Sequence, residues 1–485
     1  MKLPRIMIAA PSSGSGKTLI TCGILECLKK RGMRPGAFKC GPDYIDPMFH
    51  RKVLGIPSWN LDIFFSGHEG VKTLLKEHGG DIDVAVMEGV MGYYDGAGVS
   101  SYAAGSYDLA AAADTPVILV VNGRGMSLSA AALIKGFLEF RADSNIQGVI
   151  LNRISPGLYP RMKSMIEEML PVKVVGFVPE ASDCTLESRH LGLLLPDEIR
   201  DLKEKVGRLS EILQESLDLD EIIRIADGAP SLETGFRRDV FHESASWCRG
   251  AHNSEKDGCA MSHTPTIAVS RDEAFCFIYE ENIEFLKKSG VKIQFFSPLH
   301  DSCLPENTDG LLLYGGYPEN HAAELSSNRS MREDIREKLE KGLPCIAECG
   351  GFMYLHDAIC PPDGKTYEMC GAIKGNVFWT GKLTRFGYVL LSPNPENAPF
   401  GLHDLKAFPA HEFHYFDSED PGHAFHAVKP DGKRSWACIH TSASLMAGFP
   451  HLYYDSCPEL IKAFLQKSME YGLKRKKTAE GYHEI

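Results

Sequence analysis

Ala347-Glu348-Cys349-Gly350-Gly351-Phe352, following the apolar run 343–346, is the stretch from which the fold of this 485-residue chain is best read. A short buried run ending in a cysteine, then two glycines, then a helical stretch, has the form of a nucleophile elbow. The glycines permit a strained strand-to-helix turn that lifts the sulfur from the strand end and leaves backbone N–H groups beside it. A helix N-terminus beneath the thiol is expected to favour thiolate, the reactive form. Upstream, Tyr314-Gly315-Gly316-Tyr317-Pro318-Glu319 follows a second apolar run, 311–313. It supplies a glycine loop, so Gly316 and Gly350 are the candidate oxyanion-hole donors.

Working outward, strand-like runs alternate with helical stretches on both sides of a polar segment. The runs at 6–10, 37–39, 84–87, 117–121, 149–152 and 172–178, with helical spacing at 19–31 and 128–140, read as βαβ units around a parallel sheet. From about residue 228 to 263 the pattern collapses into polar, Gly/Ser-containing sequence around Trp247 and Cys248. A second alternation then begins at 266–269, continues through 293–296, 310–314 and 344–347, and ends in a helical stretch near 458–470. The expected division is a first α/β domain at 1–227, a linker at 228–264, a second α/β domain at 265–472 and a polar tail at 473–485. The basic run 474–477 reads as a solvated helix end.

Bulk properties bound the function. The net charge of −12 argues against nucleic acid as the main partner. No apolar run approaches the ~18 residues of a membrane span, and the first strand leads directly into a glycine loop with no signal peptide. The fourteen cysteines are scattered without a clustered CxxC pair, so a reducing, cytoplasmic setting is expected.

Pro11-Ser12-Ser13-Gly14-Ser15-Gly16-Lys17-Thr18 follows the first strand and opens a helix, the context a phosphate loop requires. Ser13, Gly14, Ser15, Gly16, Lys17 and Thr18 are the expected ATP contacts: backbone N–H groups cradle phosphates, the lysine reaches the β/γ oxygens and the threonine hydroxyl ligates Mg²⁺. Pro11 stands where the common pattern has glycine, a departure shared by the dethiobiotin-synthetase-like branch of P-loop proteins. The run 83–87 ends in Glu88, an acid suited to a second Mg²⁺ contact. Lys39-Cys40-Gly41-Pro42-Asp43-Tyr44-Ile45-Asp46-Pro47 and Glu88-Gly89-Val90-Met91-Gly92-Tyr93-Tyr94-Asp95-Gly96 both fall at C-terminal ends of parallel strands, where open α/β sheets bind ligands.

The elbow and its glycine loop resemble the class I glutamine amidotransferases. The acid-rich segments, with Ser188-Arg189-His190-Leu191-Gly192-Leu193, Asp272-Glu273-Ala274-Phe275 and the phosphate loop, closely resemble the cobyrinate a,c-diamide synthase family. The resemblance covers nearly the whole chain apart from linker and tail. It implies an N-terminal P-loop (dethiobiotin-synthetase-like) parallel-sheet domain and a C-terminal class I glutamine amidotransferase α/β domain. The implied activity is that of a ligase that amidates the a and c carboxylates of a cobyrinate-type tetrapyrrole, with ATP and Mg²⁺ and with ammonia from glutamine, through an acyl phosphate. Asp43, Tyr44, Ile45, Asp46 and Asp95 would face substrate, and Thr18, Glu88 and one of Asp43 or Asp46, with Asp46 preferred, would hold Mg²⁺. A homodimer is compatible with it; no nucleic acid or membrane enters.

The family's histidine falls at His451 within Gly448-Phe449-Pro450-His451-Leu452-Tyr453-Tyr454, with Pro450 and Tyr453 departing from the usual residues. Many class I enzymes carry a glutamate two residues after the histidine. Tyr453 stands there, so the expected pair is Cys349 and His451 without a named acid, with His440, His411 and His414 as rivals. Three readings stay open beside this one: the homologous amidation of nickel sirohydrochlorin or hydrogenobyrinate, a cobyric acid synthase, and a partition-type regulatory ATPase with a degenerate amidotransferase module.

Overall fold

Arg5–Ala9 (β1) is buried along its whole length, as are Pro35–Cys40 (β2) and Val84–Glu88 (β4). Strands covered on both faces are the mark of a parallel sheet with helices above and below. In the computed structural model, which describes residues 1–98, 100–180, 201–233 and 263–480 and the strand pairs Ser188–Arg189 and Gly192–Leu193, the chain divides into two units, Met1–Arg237 and Arg238–Ile485. His190, Leu191, Trp247 and Cys248 lie outside the described residues.

The first unit adds Ser58–Leu61 (β3), Val117–Asn122 (β5), Ile146–Asn152 (β6) and Lys173–Val178 (β7). The sheet order is β3-β2-β4-β1-β5-β6-β7, and every neighbouring pair is parallel. β1 is central, so the loop after it, leading into helix α1 (Lys17–Lys30), stands beside the loop after β4. β2 flanks β4 on the other side and is followed by the single turn α2 (Ile45–Met48) and a π-helical segment, Phe49–Leu54. Register completes the convergence: Glu88 pairs across with Ile8 on one side and Lys39 on the other. β3 was not foreseen, because Ser58, Trp59 and Asn60 give it little apolar character.

In the second unit, Thr266–Ser270 (β8), Lys292–Phe296 (β9), Gly310–Leu313 (β10) and Cys345–Glu348 (β11) precede Arg385–Pro393 (β12), Phe408–His414 (β13), Leu445–Gly448 (β14) and His451–Leu452 (β15). A parallel sheet runs β9-β8-β10-β11-β14, closed by an antiparallel edge, His440–Thr441. A separate antiparallel sheet contains β12, β13 and β15. The chain therefore leaves the parallel sheet at Gly448 and enters the antiparallel one at His451 through the corner Phe449-Pro450. Phe449 is buried there, stacked on His414 at 3.9 Å and edge-on to Phe352 at 5.1 Å. Helix α3 (Gly350–Leu355) follows β11, and α4 (Pro458–Glu480) ends the described chain with the basic run 474–477 inside it.

Candidate active sites

Cys349 is the N-cap of α3, at φ 46° and ψ −104°. A non-glycine residue held there stores roughly 1–3 kcal/mol of strain, tolerated where surrounding structure fixes it. The Cys349 N–H donates to the Gly448 carbonyl at 2.8 Å, and its own carbonyl accepts from Met353 N–H at 2.9 Å. Gly316 and Gly350 lie close together: a methyl group on Gly350 would stand 3.1 Å from the Gly316 nitrogen. Asp272 accepts from the Ala274 and Phe275 N–H groups, and the turn so formed backs the Gly316 loop through a Tyr317 N–H to Ala274 carbonyl bond of 2.9 Å.

Gly315 separates the nucleophile from its histidine. A Cβ there would lie 2.4 Å from His451 Cε1 and 3.4 Å from Cys349 Cβ, so only glycine lets both side chains flank this point. His451 is buried and its Cα pairs with that of His411 across β13 and β15. The loop that carries Pro450 and Tyr453 is held by Asn282, which donates to the Leu452 carbonyl and accepts from Tyr454 N–H, both at 2.9 Å. Tyr453 packs edge-on against Tyr279 in the core. Of the rival histidines, His414 donates from Nδ1 to the Phe416 carbonyl at 2.6 Å and pairs through Nε2 with Glu412 at 3.1 Å, and His440 Nε2 donates to the Asp420 carbonyl at 2.9 Å.

The thiol differs from expectation. Burial, reinforced by Glu319, Glu412 and Glu348, pushes Cys349 well above its ordinary range, and the Gly350 amide offsets only part of this. The six-residue α3 is too short to reverse a surrounding field of acids. Burial, with His414 nearby, lowers His451 to about 3, so the imidazole is neutral. A protonated thiol beside a neutral imidazole is the resting state from which a proton can be passed. Glu348 was not foreseen as part of this site: its Oε2 lies 3.9 Å from His451 Nδ1 and accepts the Leu452 N–H at 3.2 Å.

In the first unit, Gly16 caps α1 at φ 92°, with Asn152 Nδ2 donating to the Ser15 carbonyl at 2.9 Å. Ser13 and Gly14 are exposed, and Ser15 Oγ closes on the Ser12 carbonyl at 2.9 Å. Lys17 Nζ donates to the Met91 and Ser12 carbonyls at 2.6 and 3.2 Å. Burial, helped by Lys39, lowers it to about 8 against the pull of Glu88, Asp46 and Asp95. Asp95 accepts the Gly92 N–H at 3.0 Å and shapes its own turn. Asp43 likewise accepts the Ile45 and Asp46 N–H groups at 2.9 and 3.1 Å. Tyr44 and Ile45, expected to face substrate, are both buried at the sheet edge, 9% and 6% exposed.

Thr18, Asp46 and Glu88 do converge. Thr18 Oγ1 donates to Glu88 Oε1 at 2.5 Å and lies 3.4 Å from Asp46 Oδ2. Among the described residues no three or more His, Cys, Asp or Glu side chains form a metal-holding group. Two carboxylates and a hydroxyl are the smaller, all-oxygen set that suits a Mg²⁺ ion also held by phosphate oxygens. Glu88 Oε2, wholly buried, has no hydrogen-bond partner among the described residues, as fits a carboxylate kept for a ligand.

Lys39 is the residue that sequence reading passed over here. Its buried ammonium contacts Asp46 Oδ2 at 2.5 Å, Glu88 Oε1 at 2.9 Å and Asp43 Oδ2 at 3.8 Å. Burial opposes its charge, but these carboxylates outweigh burial and hold it protonated. Burial also takes Asp43 to about 6 and Glu88 to about 8, whereas at Asp46 the Lys39 contact wins and keeps the group below its ordinary range. A lysine near the end of a buried strand, seven residues before an aspartate in the following turn, was the available signal.

Two domain families match the chain: a CobQ/CobB/MinD/ParA nucleotide binding domain at residues 6–194 and a CobB/CobQ-like glutamine amidotransferase domain at 266–458. A cobyrinate a,c-diamide synthase of Fusobacterium nucleatum is 40% identical over 458 residues, covering 92% of this chain and 97% of the relative. Those of Clostridium acetobutylicum and Clostridium tetani are 38% and 39% identical, covering 94% and 95% of this chain and 98% and 99% of theirs. The chain belongs to the cobyrinate a,c-diamide synthase family.

The amidotransferase half of this cobyrinate a,c-diamide synthase family member carries a pH liability. Burial lowers His356 to about 4 and His411 and His451 to about 3, against an ordinary 6.5. Below pH 6.5 the unfolded chain binds three protons that the folded unit refuses, so this stability is present above 6.5 and lost as pH falls. Glu348, raised by burial to about 8, runs oppositely: the folded unit holds its proton above the ordinary 4.5, and that contribution fades as pH rises. The net difference between 4.5 and 6.5 is two protons, roughly 2–3 kcal/mol per pH unit. The second unit's unfolding transition should therefore fall steeply from pH 6.5 to 5 in calorimetry; a flat profile would show that these imidazoles are not held neutral.

Proposed function

We propose that this chain catalyses the ATP-dependent amidation of the a and c carboxylates of cobyrinate, a carbon–nitrogen ligase reaction of cobalamin biosynthesis that draws ammonia from glutamine. The observation that carries the reading is near-full-length identity to relatives bearing that name, in a chain that keeps both Cys349–His451 and the Lys17–Thr18 loop. A carboxylate is a poor electrophile because oxide would have to leave. Transfer of the γ-phosphoryl group of ATP to a carboxylate oxygen gives an acyl phosphate and ADP. Ammonia then attacks the acyl carbon, and phosphate leaves as the amide forms.

Lys17 would neutralise charge on the transferred group. Thr18, Asp46 and Glu88 would hold Mg²⁺, whose chemistry is to screen the phosphate charge. On the glutaminase side, Cys349 would pass its proton to His451 and attack the glutamine carboxamide, with Gly316 and Gly350 N–H groups receiving the oxyanion. The described cysteines are free thiols, in keeping with a reducing, cytoplasmic setting, and among the described residues no helix is long and apolar enough to cross a membrane.

Incubation with cobyrinate, glutamine and Mg²⁺·ATP, read by mass for the number and position of new amides, tests the reading. Two amides, at a and c, are expected. Amides only on other side chains, or only on a nickel macrocycle, would refute it. For Glu88→Gln, the Mg²⁺ concentration giving half-maximal activity should rise about tenfold or more, since the change keeps shape but removes charge. A parental Mg²⁺ titration would remove Glu88 from the ligand set.

A further inference from the structure

The histidine of this glutaminase site lacks the acid that usually follows it: Tyr453 stands two residues on and is buried against Tyr279. An acid does lie beside the His451 ring, and it is the one that precedes the nucleophile. Along β11 the side chains alternate between faces. Cys345, Ala347 and Cys349 belong to the core on one side of the sheet, while Ile346 shares the opposite core with Tyr314, Leu452 and Tyr454. Glu348, in phase with Ile346, therefore reaches the side from which β15 delivers His451. Cys349 Cβ and the edge of the same ring flank one point, the open side of Gly315.

We infer that Glu348 is the positioning residue of the glutaminase site, accepting the Nδ1–H of His451 so that Nε2 takes the Cys349 proton. This rests on Cys349 and His451 acting as nucleophile and base. The Oε2–Nδ1 separation of 3.9 Å is long for a hydrogen bond, as catalytic contacts often are before substrate closes the site. Glu348 is only 3% exposed, its Oε1 has no hydrogen-bond partner among the described residues, and the nearby Tyr314 and Tyr454 hydroxyls bond each other at 2.8 Å.

A residue kept only to receive the Leu452 N–H would do so equally well as glutamine, without burying an acid. Glu412, the other buried glutamate of this neighbourhood, is already engaged by His414 and by Trp436 Nε1, each at 3.1 Å. In the step itself the proton moves from Sγ to Nε2 and the thiolate sulfur bonds the carboxamide carbon. The C–N bond then breaks with return of that proton to the departing ammonia. Throughout, a Glu348 carboxyl oxygen accepts the Nδ1–H and faces the imidazolium formed on the way.

Three variants decide it: Glu348→Gln, Glu348→Asp and Cys349→Ser. A glutamine at 348 offers an N–H to Nδ1 and fixes the wrong tautomer. Its kcat for glutamine hydrolysis should fall about 10²–10⁴-fold, with glutamine KM within about threefold and the melting temperature near that of the parent. Alkylation of Cys349 by iodoacetamide should slow in parallel. Glu348→Asp, which restores the carboxyl group on a shorter arm, should recover at least about tenfold of kcat over Glu348→Gln. A Glu348→Gln enzyme with parental kcat and alkylation rate, or an aspartate variant no better than the glutamine one, overturns the inference. Glutamine hydrolysis that survives Cys349→Ser instead overturns the glutaminase reading beneath it.

Discussion

Cys349→Ser is expected to lower glutamine-dependent amidation by about 10³-fold or more, while amidation from high ammonium stays close to parental. The thiol is the only nucleophile at the strained turn before α3, and its neighbours Gly315, Gly316 and His451 are arranged around it rather than around any other side chain. Serine keeps the size but offers an alkoxide far harder to form, in a pocket where burial and three glutamates already oppose a negative charge. None of the residues that converge at the phosphate loop lies in this unit, so ammonia supplied from solution should still meet an activated carboxylate. Product mass measured with each nitrogen source checks this; loss of both activities in a folded variant would refute the separation of roles.

Lys17→Ala should abolish amidation from either nitrogen source, by about 10²–10³-fold or more, because phosphoryl transfer precedes both. The neighbouring cation cannot replace it. Lys39 is bound to Asp46 and Glu88, whereas Lys17 lies across the loop mouth on the Met91 and Ser12 carbonyls. Glutamine hydrolysis in the second unit should persist in this variant. The check is ADP release and amide formation measured together with glutamate release. Retained amidation from ammonium would remove Lys17 from the phosphoryl-transfer site.

The parallel sheets were legible because strands buried on both faces are written as unbroken apolar runs: 84–87 and 117–121 announce β4 and β5 directly. Residues 358–440 gave no such warning. Several of their strands have only two to four residues, and the nine-residue β12 mixes Arg385, Gly387 and Ser392 with Phe386, Val389 and Leu391, so no run marks it. At the sites, sequence order concealed what strand geometry supplies. Glu348 is the immediate sequence neighbour of Cys349, yet only the alternation of faces and the arrival of β15 put it near His451. Lys39 and Glu88 are 49 positions apart and meet because β2 and β4 pair in register. The thiol's ionisation was misjudged for a related reason: the short helix was visible in sequence, the acids around the sulfur were not.

The Phe449-Pro450 corner has a consequence for how such an enzyme keeps its aim. The nucleophile rides on one hydrogen-bonded ladder and the base on another, and no ladder bond runs across the turn to set the gap between them. Beside the Leu452 N–H bond to Glu348 and the Asn282 clamp, that tolerance falls to three touching rings: Phe449, His414 on the antiparallel side and Phe352 on the helix behind the thiol. Interiors are packed too tightly to absorb a lost ring without a shift of neighbouring atoms. Alignment of the catalytic pair is thus governed by interior fit, so substitutions that touch neither glutamine nor sulfur can still detune the chemistry.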